Sequence, residues 1–494
     1  MRKNLFLLTL LIALVLTFSG AAQAPAADNK VQGLDIDSVD EIIMYVELMH
    51  ISEPDSQVLI QGAIEGLLKT LNDPYTVYMT PEELKEFVDS IEGNYVGIGI
   101  QMQPGETYPE VLNTFENTPA SKAGIMPGDM IIKIDGADIA GEPLGKIVER
   151  VRGQAGTKLK LTIRREGMAD FEVELTRDNI STPTVTGRIL EGDIAYIRIN
   201  TFGDFTGDEF KKILDDLTEQ GASKLILDLR DNPGGTIHSA VNISSNFVGQ
   251  DKVVASTFTR NGERKEFLAE WNNDVIEDMP MVILVNQYTA SASELMAGAM
   301  QDYGLATLIG GQTFGKGTVQ VIVPLETGGA LKITVARYHT PLDREIDGTG
   351  LSPDIQVLTP GLSLAVAQGY LNGSSGSTIV FDLDKGVVMV NGVPDISGRV
   401  IRQQGETYLP LRLLFESMGY RVDWQPGIGA IEVTKLQSKA VFYPGDGHYV
   451  VDGRTYPGEE SLLSLEGSLY IHESVLNLFN ARIRYEGSTV IIEK

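Results

Sequence analysis

Ser291 lies in Asn286-Gln287-Tyr288-Thr289-Ala290-Ser291-Ala292-Ser293-Glu294, directly after the apolar run Met281-Val282-Ile283-Leu284-Val285 and before a helical pattern of Leu295, Ala297, Gly298 and Met300. A serine at a strand-to-helix transition sits at the carboxyl edge of a sheet, where α/β proteins gather their chemistry. Serine there is also an ordinary helix N-cap. Two further stretches bear on the choice. Thr313-Phe314-Gly315-Lys316-Gly317-Thr318-Val319-Gln320 sets a lysine between glycines at the start of a strand-like run, and residues four apart on a strand share a face. Lys316 and Gln320 can therefore face one pocket. Leu227-Asp228-Leu229-Arg230-Asp231-Asn232-Pro233-Gly234-Gly235 ends another strand pattern on a glycine pair whose bare amides suit an oxyanion. A serine attacks a carbonyl only if a base takes its proton, and a lysine at its ordinary pKa of about 10.4 is already protonated at neutral pH. As a base Lys316 must be desolvated, because burial disfavours the ammonium. A neutral glutamine partner preserves that depression, whereas a carboxylate would reverse it.

Other chemistries fit less well. Gly310-Gly311-Gln312-Thr313-Phe314-Gly315-Lys316-Gly317 nearly matches a phosphate-binding loop, but Gly317 replaces the Mg²⁺-binding hydroxyl and a strand follows instead of a helix. A Ser-His-Asp site would draw on His238 or His339, and no G-x-S-x-G elbow supports it. With five histidines, no cysteine and no H-E-x-x-H, the chain offers no transition-metal motif, thiol catalysis or disulfide; no cofactor is implied. A formal net charge of −27 without a Lys/Arg block argues against a nucleic-acid partner.

The elements that must position these residues change along the 494-residue chain, which is too long for one core. Arg2 and Lys3 precede an apolar run to Phe18 and small residues to Ala26, which reads as a secretory signal or anchor. From Asp37 to Leu71 apolar residues recur at three- and four-residue spacing, predicting helices broken near Pro54. Thr80-Pro81-Glu82-Glu83 starts another helix. Short strands with glycine turns run from Gly93 to Arg177, and strands and helices alternate from Asp193 to Leu358. Gly361 to Gly376 holds a short helical pattern and then Asn372-Gly373-Ser374-Ser375-Gly376, which reads as a flexible linker. The last segment repeats itself: Val390-Asn391-Gly392, Gly405 to Leu411 and Ile431-Glu432-Val433 correspond to Val451-Asp452-Gly453, Gly467 to Ile471 and Val490-Ile491-Ile492, suggesting a duplicated βαβ-like unit.

Pro119-Ala120-Ser121-Lys122-Ala123-Gly124-Ile125-Met126-Pro127-Gly128-Asp129 with Ile134-Asp135-Gly136 resembles PDZ domains. Such a domain adds a chain end as a strand and captures its carboxylate on loop amides. The matching loop is Tyr95-Val96-Gly97-Ile98-Gly99-Ile100. The serine, lysine and glycine-pair motifs in their order resemble the C-terminal processing peptidases, or tail-specific proteases. The likeness extends through Gly62 to Leu68, Leu71-Asn72-Asp73-Pro74-Tyr75, Arg337-Tyr338-His339-Thr340-Pro341 and Gly350-Leu351-Ser352-Pro353-Asp354. It implies Ser291 as nucleophile, Lys316 as general base, Gln320 orienting Lys316, and an oxyanion hole of the Ala292 amide with that of Gly234 or Gly235. Tyr408 to Trp424 resembles the copper amine oxidase N-terminal-like stalk domain, read here as a passive spacer without copper.

The expected fold is multidomain α+β. Residues 1–26 form a signal or anchor, 27–85 a helical segment and 86–177 a β-rich PDZ module. Residues 178–360 form an α/β serine peptidase core, 361–376 a linker and 377–494 a duplicated α+β stalk-like domain. The resemblance implies an extracytoplasmic serine endopeptidase acting on exported or unfolded proteins with exposed C-terminal tails, associated with the cell envelope and paired as a homodimer through its N-terminal helices. A catalytically dead envelope scaffold using the same modules is the competing class.

Overall fold

The computed structural model describes residues 35–494 apart from 104, 106, 116, 166, 167, 182, 271–274, 277, 327, 374–376, 395, 459, 460 and 466. The expected signal at 1–26 and the Ser374-Ser375-Gly376 part of the linker lie outside the described residues. The chain divides between Asn72 and Asp73 into two compact units. In the first, helices Ile36–Met49 and Ser56–Lys69 flank the predicted break near Pro54, each started by an aspartate that accepts a first-turn N–H, Asp35 from Ser38 and Asp55 from Gln57. Neither helix buries a residue within the chain.

In the second unit, a six-stranded sheet runs in the order Val185–Leu190, Ile194–Ile199, Lys224–Asp228, Met281–Val285, Ala306–Gly310, Ile355–Gln356, parallel throughout except for its first pair. Side chains alternate between its faces. Ala195, Ile197, Leu225, Leu227, Ile283 and Val285 point under the helices Thr206–Glu219, Ile237–Ser244 and Ala292–Asp302. Ile194, Tyr196, Ile226, Val282, Leu284 and Ile309 point the other way. A parallel sheet must be covered on both faces. The second cover is the helix Leu362–Leu371, whose Leu362, Ala365 and Ala367 are buried in one apolar core with Phe381, Leu414 and Phe415 from the C-terminal domain.

This corrects the reading of residues 361–376 as a linker and of the C-terminal domain as a passive spacer. The helix is apolar on several sides, so it packs on the sheet with one and on the C-terminal domain with another. The buried Glu416 carboxylate seals the seam by accepting the N–H groups of Leu358 at 3.0 Å and Thr359 at 2.8 Å. The C-terminal repeat is real, but among the described residues it contains no parallel βαβ crossover, since its pairings are antiparallel. Its halves interleave: Thr378–Asp382 pairs with Thr489–Glu493, and Ala430–Lys435 with Ser438–Tyr443.

A second sheet is built on the ten-residue strand Ala330–His339, which pairs with Thr318–Pro324 on one side and with Val77–Met79 and Val253–Thr259 on the other. The PDZ module is a sheet in the order Ile100–Gln103, Glu110–Thr114, Met130–Ile134, Lys158–Arg164, Phe171–Thr176, with the helix Leu144–Val151. The chain enters and leaves it through a ribbon, Asn94–Gly97 against Asp178–Ser181. The boundary expected at residue 86 instead falls inside the helix Pro81–Ile91, which the Thr80–Glu83 capping box starts.

Candidate active site

Met281–Val285 is buried throughout and delivers the chain to a sharp turn at Ser291, a non-glycine residue with φ +58° and ψ −119°. Such a conformation costs about 1–3 kcal/mol and persists only where its surroundings over-determine it. Here the loop Leu229–Gly235 does so: Ala290 N–H donates to the Asn232 carbonyl at 3.0 Å, Ser293 Oγ to the same carbonyl at 3.1 Å, and Thr289 Oγ1 to the Leu229 carbonyl at 2.8 Å. Asn232 is fully buried, donates Nδ2–H to the Ile199 carbonyl and accepts the Gly234 N–H at 2.9 Å. A Cβ on Gly234 would lie 2.8 Å from Ala292 N and 2.9 Å from Ser291 Cβ, so only glycine lets the two loops approach this closely. Among the described residues, the N–H groups of Gly235 and Ala292 have no acceptor.

Lys316 is anchored by a residue to which the sequence reasoning assigned no role. The buried Glu294 accepts four donors: the N–H of Ser291 and of Lys316 at Oε2, each at 2.9 Å, and the N–H of Gly315 and Thr313 Oγ1 at Oε1, at 2.7 and 2.5 Å. Burial raises its carboxyl pKa, opposed by these hydrogen bonds. The S-x-x-E spacing from Ser291 to Glu294, that of a capping box, was the signal available to find it. The hydroxyl of the buried Tyr338 adds a second tie, to the carbonyls of both Ser291, at 3.0 Å, and Lys316.

The Lys316 ammonium lies 4.9 Å from the centroid of the Tyr75 ring. Burial first, then the nearby Lys332 ammonium, push its pKa below the ordinary lysine value, while Glu294 and Asp73 pull it back in part. Gln320 donates Nε2–H to Thr318 Oγ1 at 2.9 Å and Thr334 Oγ1 at 3.2 Å. Among the described residues, no hydrogen bond joins Ser291 Oγ, Lys316 Nζ and the Gln320 carboxamide to one another.

All three nevertheless line one cleft of about 870 Å³ with Gly234, Gly235, Ala292 and, from the PDZ module, Arg152. His238 and His339 are outside it and face Glu270 and Asp343. After Lys316 the chain continues as the strand Thr318–Pro324, without the helix a phosphate loop needs.

The six residues of the expected carboxylate loop divide. Tyr95, Val96 and Gly97 belong to the neck ribbon, because their backbone pairs with Asp178–Ile180. Ile98 and Gly99 form the turn, with Ile98 buried, and Ile100 opens the edge strand of the PDZ sheet. Gly99 has φ +81°, and a Cβ there would lie 2.2 Å from Thr118 Cβ. Among the described residues, the N–H groups of Ile98 and Gly99 have no acceptor.

Residues 193–357 match Peptidase family S41, 116–165 the PDZ domain, 19–83 the Activating protease CtpB N-terminal domain and 375–493 the Copper amine oxidase N-terminal domain. The chain is 38% identical over 344 residues to the Carboxy-terminal-processing protease of Bartonella bacilliformis, covering 67% of this chain and 79% of that one. It is 33% identical over 376 residues to the Carboxy-terminal processing protease CtpA of Bacillus subtilis, covering 75% and 79%. Among solved structures, a Photosystem II D1 C-terminal processing protease is 30% identical, covering 64% of this chain and 86% of that one, with a TM-score of 0.43.

Proposed function

From the premise that the chain belongs to the carboxy-terminal-processing proteases of Peptidase family S41, serine-type peptidases acting on proteins or peptides, we propose that it cuts exported or unfolded proteins near their C-termini with Ser291 and Lys316. The observation that carries the reading is a desolvated lysine sharing a cleft with a strained serine, their backbones bound to one carboxylate. Neutral Lys316 takes the Ser291 proton as Oγ attacks the scissile carbonyl. The oxyanion is received by the N–H groups of Ala292 and Gly235; Gly234 is the poorer candidate because Asn232 already holds its amide. The Lys316 ammonium protonates the leaving amine, and Lys316 then takes a proton from the water that hydrolyses the acyl-enzyme. Gln320, tethered through Nε2, keeps Oε1 to orient the lysine. Closing this chain requires Lys316 to leave the Tyr75 ring.

Tail recognition falls to the PDZ module. A substrate end adds to the open edge Ile100–Gln103, its carboxylate on the Ile98 and Gly99 amides, and Arg152 at the end of the helix Leu144–Val151 links that module to the catalytic cleft. Action outside the cytoplasmic membrane, from the N-terminal segment, and pairing of two copies through the exposed apolar residues of the first two helices, such as Ile42 and Leu48, complete the reading. The test is proteolysis of a disordered substrate by Ser291→Ala, Lys316→Ala and Gln320→Ala. The first two abolish cleavage in a folded protein and the third reduces it; full activity in either of the first two overturns the assignment.

A further inference from the structure

The catalytic cleft holds a second lysine that the mechanism above does not use. Lys332 sits in the strand Ala330–His339, opposite Ile322 on one side and Val77 on the other. Residues two apart on a strand share a face, and Thr334 accepts from the Gln320 amide on the cleft side, so Lys332 faces the cleft as well. Its attachment point is about 7 Å along the strand from that of Thr334, the rise of two residues. Its ammonium lies over the Phe87 ring, with Nζ 4.8 Å from the centroid.

Among the described residues no carboxylate forms an ion pair with Lys332. The acid whose charge reaches it, Asp73, already accepts the Tyr75 N–H at 2.9 Å and Thr76 Oγ1 at 2.6 Å. Scarcity of acids is not the reason, since Asp and Glu number 67 against 40 Lys and Arg. A half-buried ammonium without a counter-ion has lost hydration that the Phe87 ring face replaces only in part, and an arriving anion supplies the rest. Burial indeed depresses its pKa. A polypeptide in the cleft carries two kinds of carboxylate, acidic side chains and the chain end.

We propose that Lys332 is a carboxylate subsite of the catalytic cleft that binds the α-carboxylate of a short tail beyond the scissile bond. The chain end is favoured because such a site would set the distance from cut to terminus, whatever the tail's sequence. This inference rests on the Ser291–Lys316 reading.

The test measures binding separately from hydrolysis. On a Ser291→Ala background, short peptides are titrated as free acids, as amides and as amides carrying Glu near the end, with two to eight residues beyond the cut. The free acid's advantage over the amide is roughly ten- to a hundredfold larger at the short spacings than at the long ones, where only the PDZ contribution remains. Lys332→Met keeps an apolar side chain of similar length beside Phe87 and removes the short-spacing excess, and Lys332→Arg restores it. Because the PDZ contribution does not depend on distance from the cut, spacing dependence separates the two sites. A short-spacing excess that is unchanged in Lys332→Met, or that is absent from the parent, overturns the proposal; so does an amidated Glu peptide that binds as tightly as the free acid at the short spacings. Should Lys332→Met fail to fold by thermal melting, Lys332→Gln replaces it with the same outcomes. Hydrolysis surviving in Ser291→Ala would sink the catalytic reading instead.

Discussion

Ser291 and Lys316 donate their backbone N–H groups to the same oxygen, Oε2 of Glu294, each at 2.9 Å. The two residues are 25 positions apart in sequence, yet one buried carboxylate sets where both main chains stand. The other oxygen holds Gly315 and Thr313, so the loop before the lysine is tied down along its length.

Glu294→Gln should therefore lower kcat far more than a surface change would. An amide has one acceptor oxygen and turns two N–H donors toward groups that are themselves donors. A misplacement on the order of 1 Å costs roughly a hundredfold in rate. A kcat within about threefold of the parent, in protein of unchanged fold, would show that the carboxylate is dispensable.

The acid limb of the pH–rate profile should report Lys316. Burial and the neighbouring Lys332 cation both disfavour its ammonium, so the base becomes neutral, and kcat/KM rises, below the ordinary lysine range. Lys332→Met removes a like charge, which raises the Lys316 pKa and moves that limb to higher pH. A shift toward lower pH contradicts this electrostatic account.

Removing residues 374–494 should destabilise the peptidase core, because it exposes the apolar seam where Phe381, Leu414 and Phe415 join the helix Leu362–Leu371. Glu416→Ala is the milder probe. It leaves the Leu358 and Thr359 amides without their acceptor, at a cost of about 1–3 kcal/mol for the buried Thr359 amide. Denaturant melts measure both. An unchanged midpoint in the truncated protein would restore the spacer reading.

Amidating the C-terminus of a long-tailed substrate should slow its cleavage by the parent enzyme, since the charge captured by the Ile98 and Gly99 amides is lost. Gly99→Val should weaken cleavage of the free acid, because its side chain collides with Thr118 and needs a positive φ that valine resists. Equal rates for acid and amide would remove carboxylate capture from the mechanism.

Most of the fold was legible in local patterns. The continuous apolar run Met281–Val285, the Pro54 break between the first helices and the Thr80–Glu83 capping box are short-range signals that hold wherever the segment packs. The cleft residues were legible for a similar reason. The glycine pair, Ser291 and Lys316 lie in the loops that follow Lys224–Asp228, Met281–Val285 and Ala306–Gly310, three neighbouring strands of the parallel sheet whose carboxyl ends gather at one edge.

What the sequence determined by itself was therefore which residue types stand at which element ends, and so the class of chemistry. Tertiary structure alone decided how they are held. The capping-box spacing ties Glu294 to Ser291 locally, but neither Glu294 nor Tyr338 carries a local sign of holding Lys316, because those bonds depend on which loops meet and not on sequence spacing. The helix Leu362–Leu371 looked like the start of a linker for the same reason. Its role depends on an uncovered sheet face lying against it, and that face is composed of side chains more than fifty residues away in the chain, such as Leu284 and Ile226.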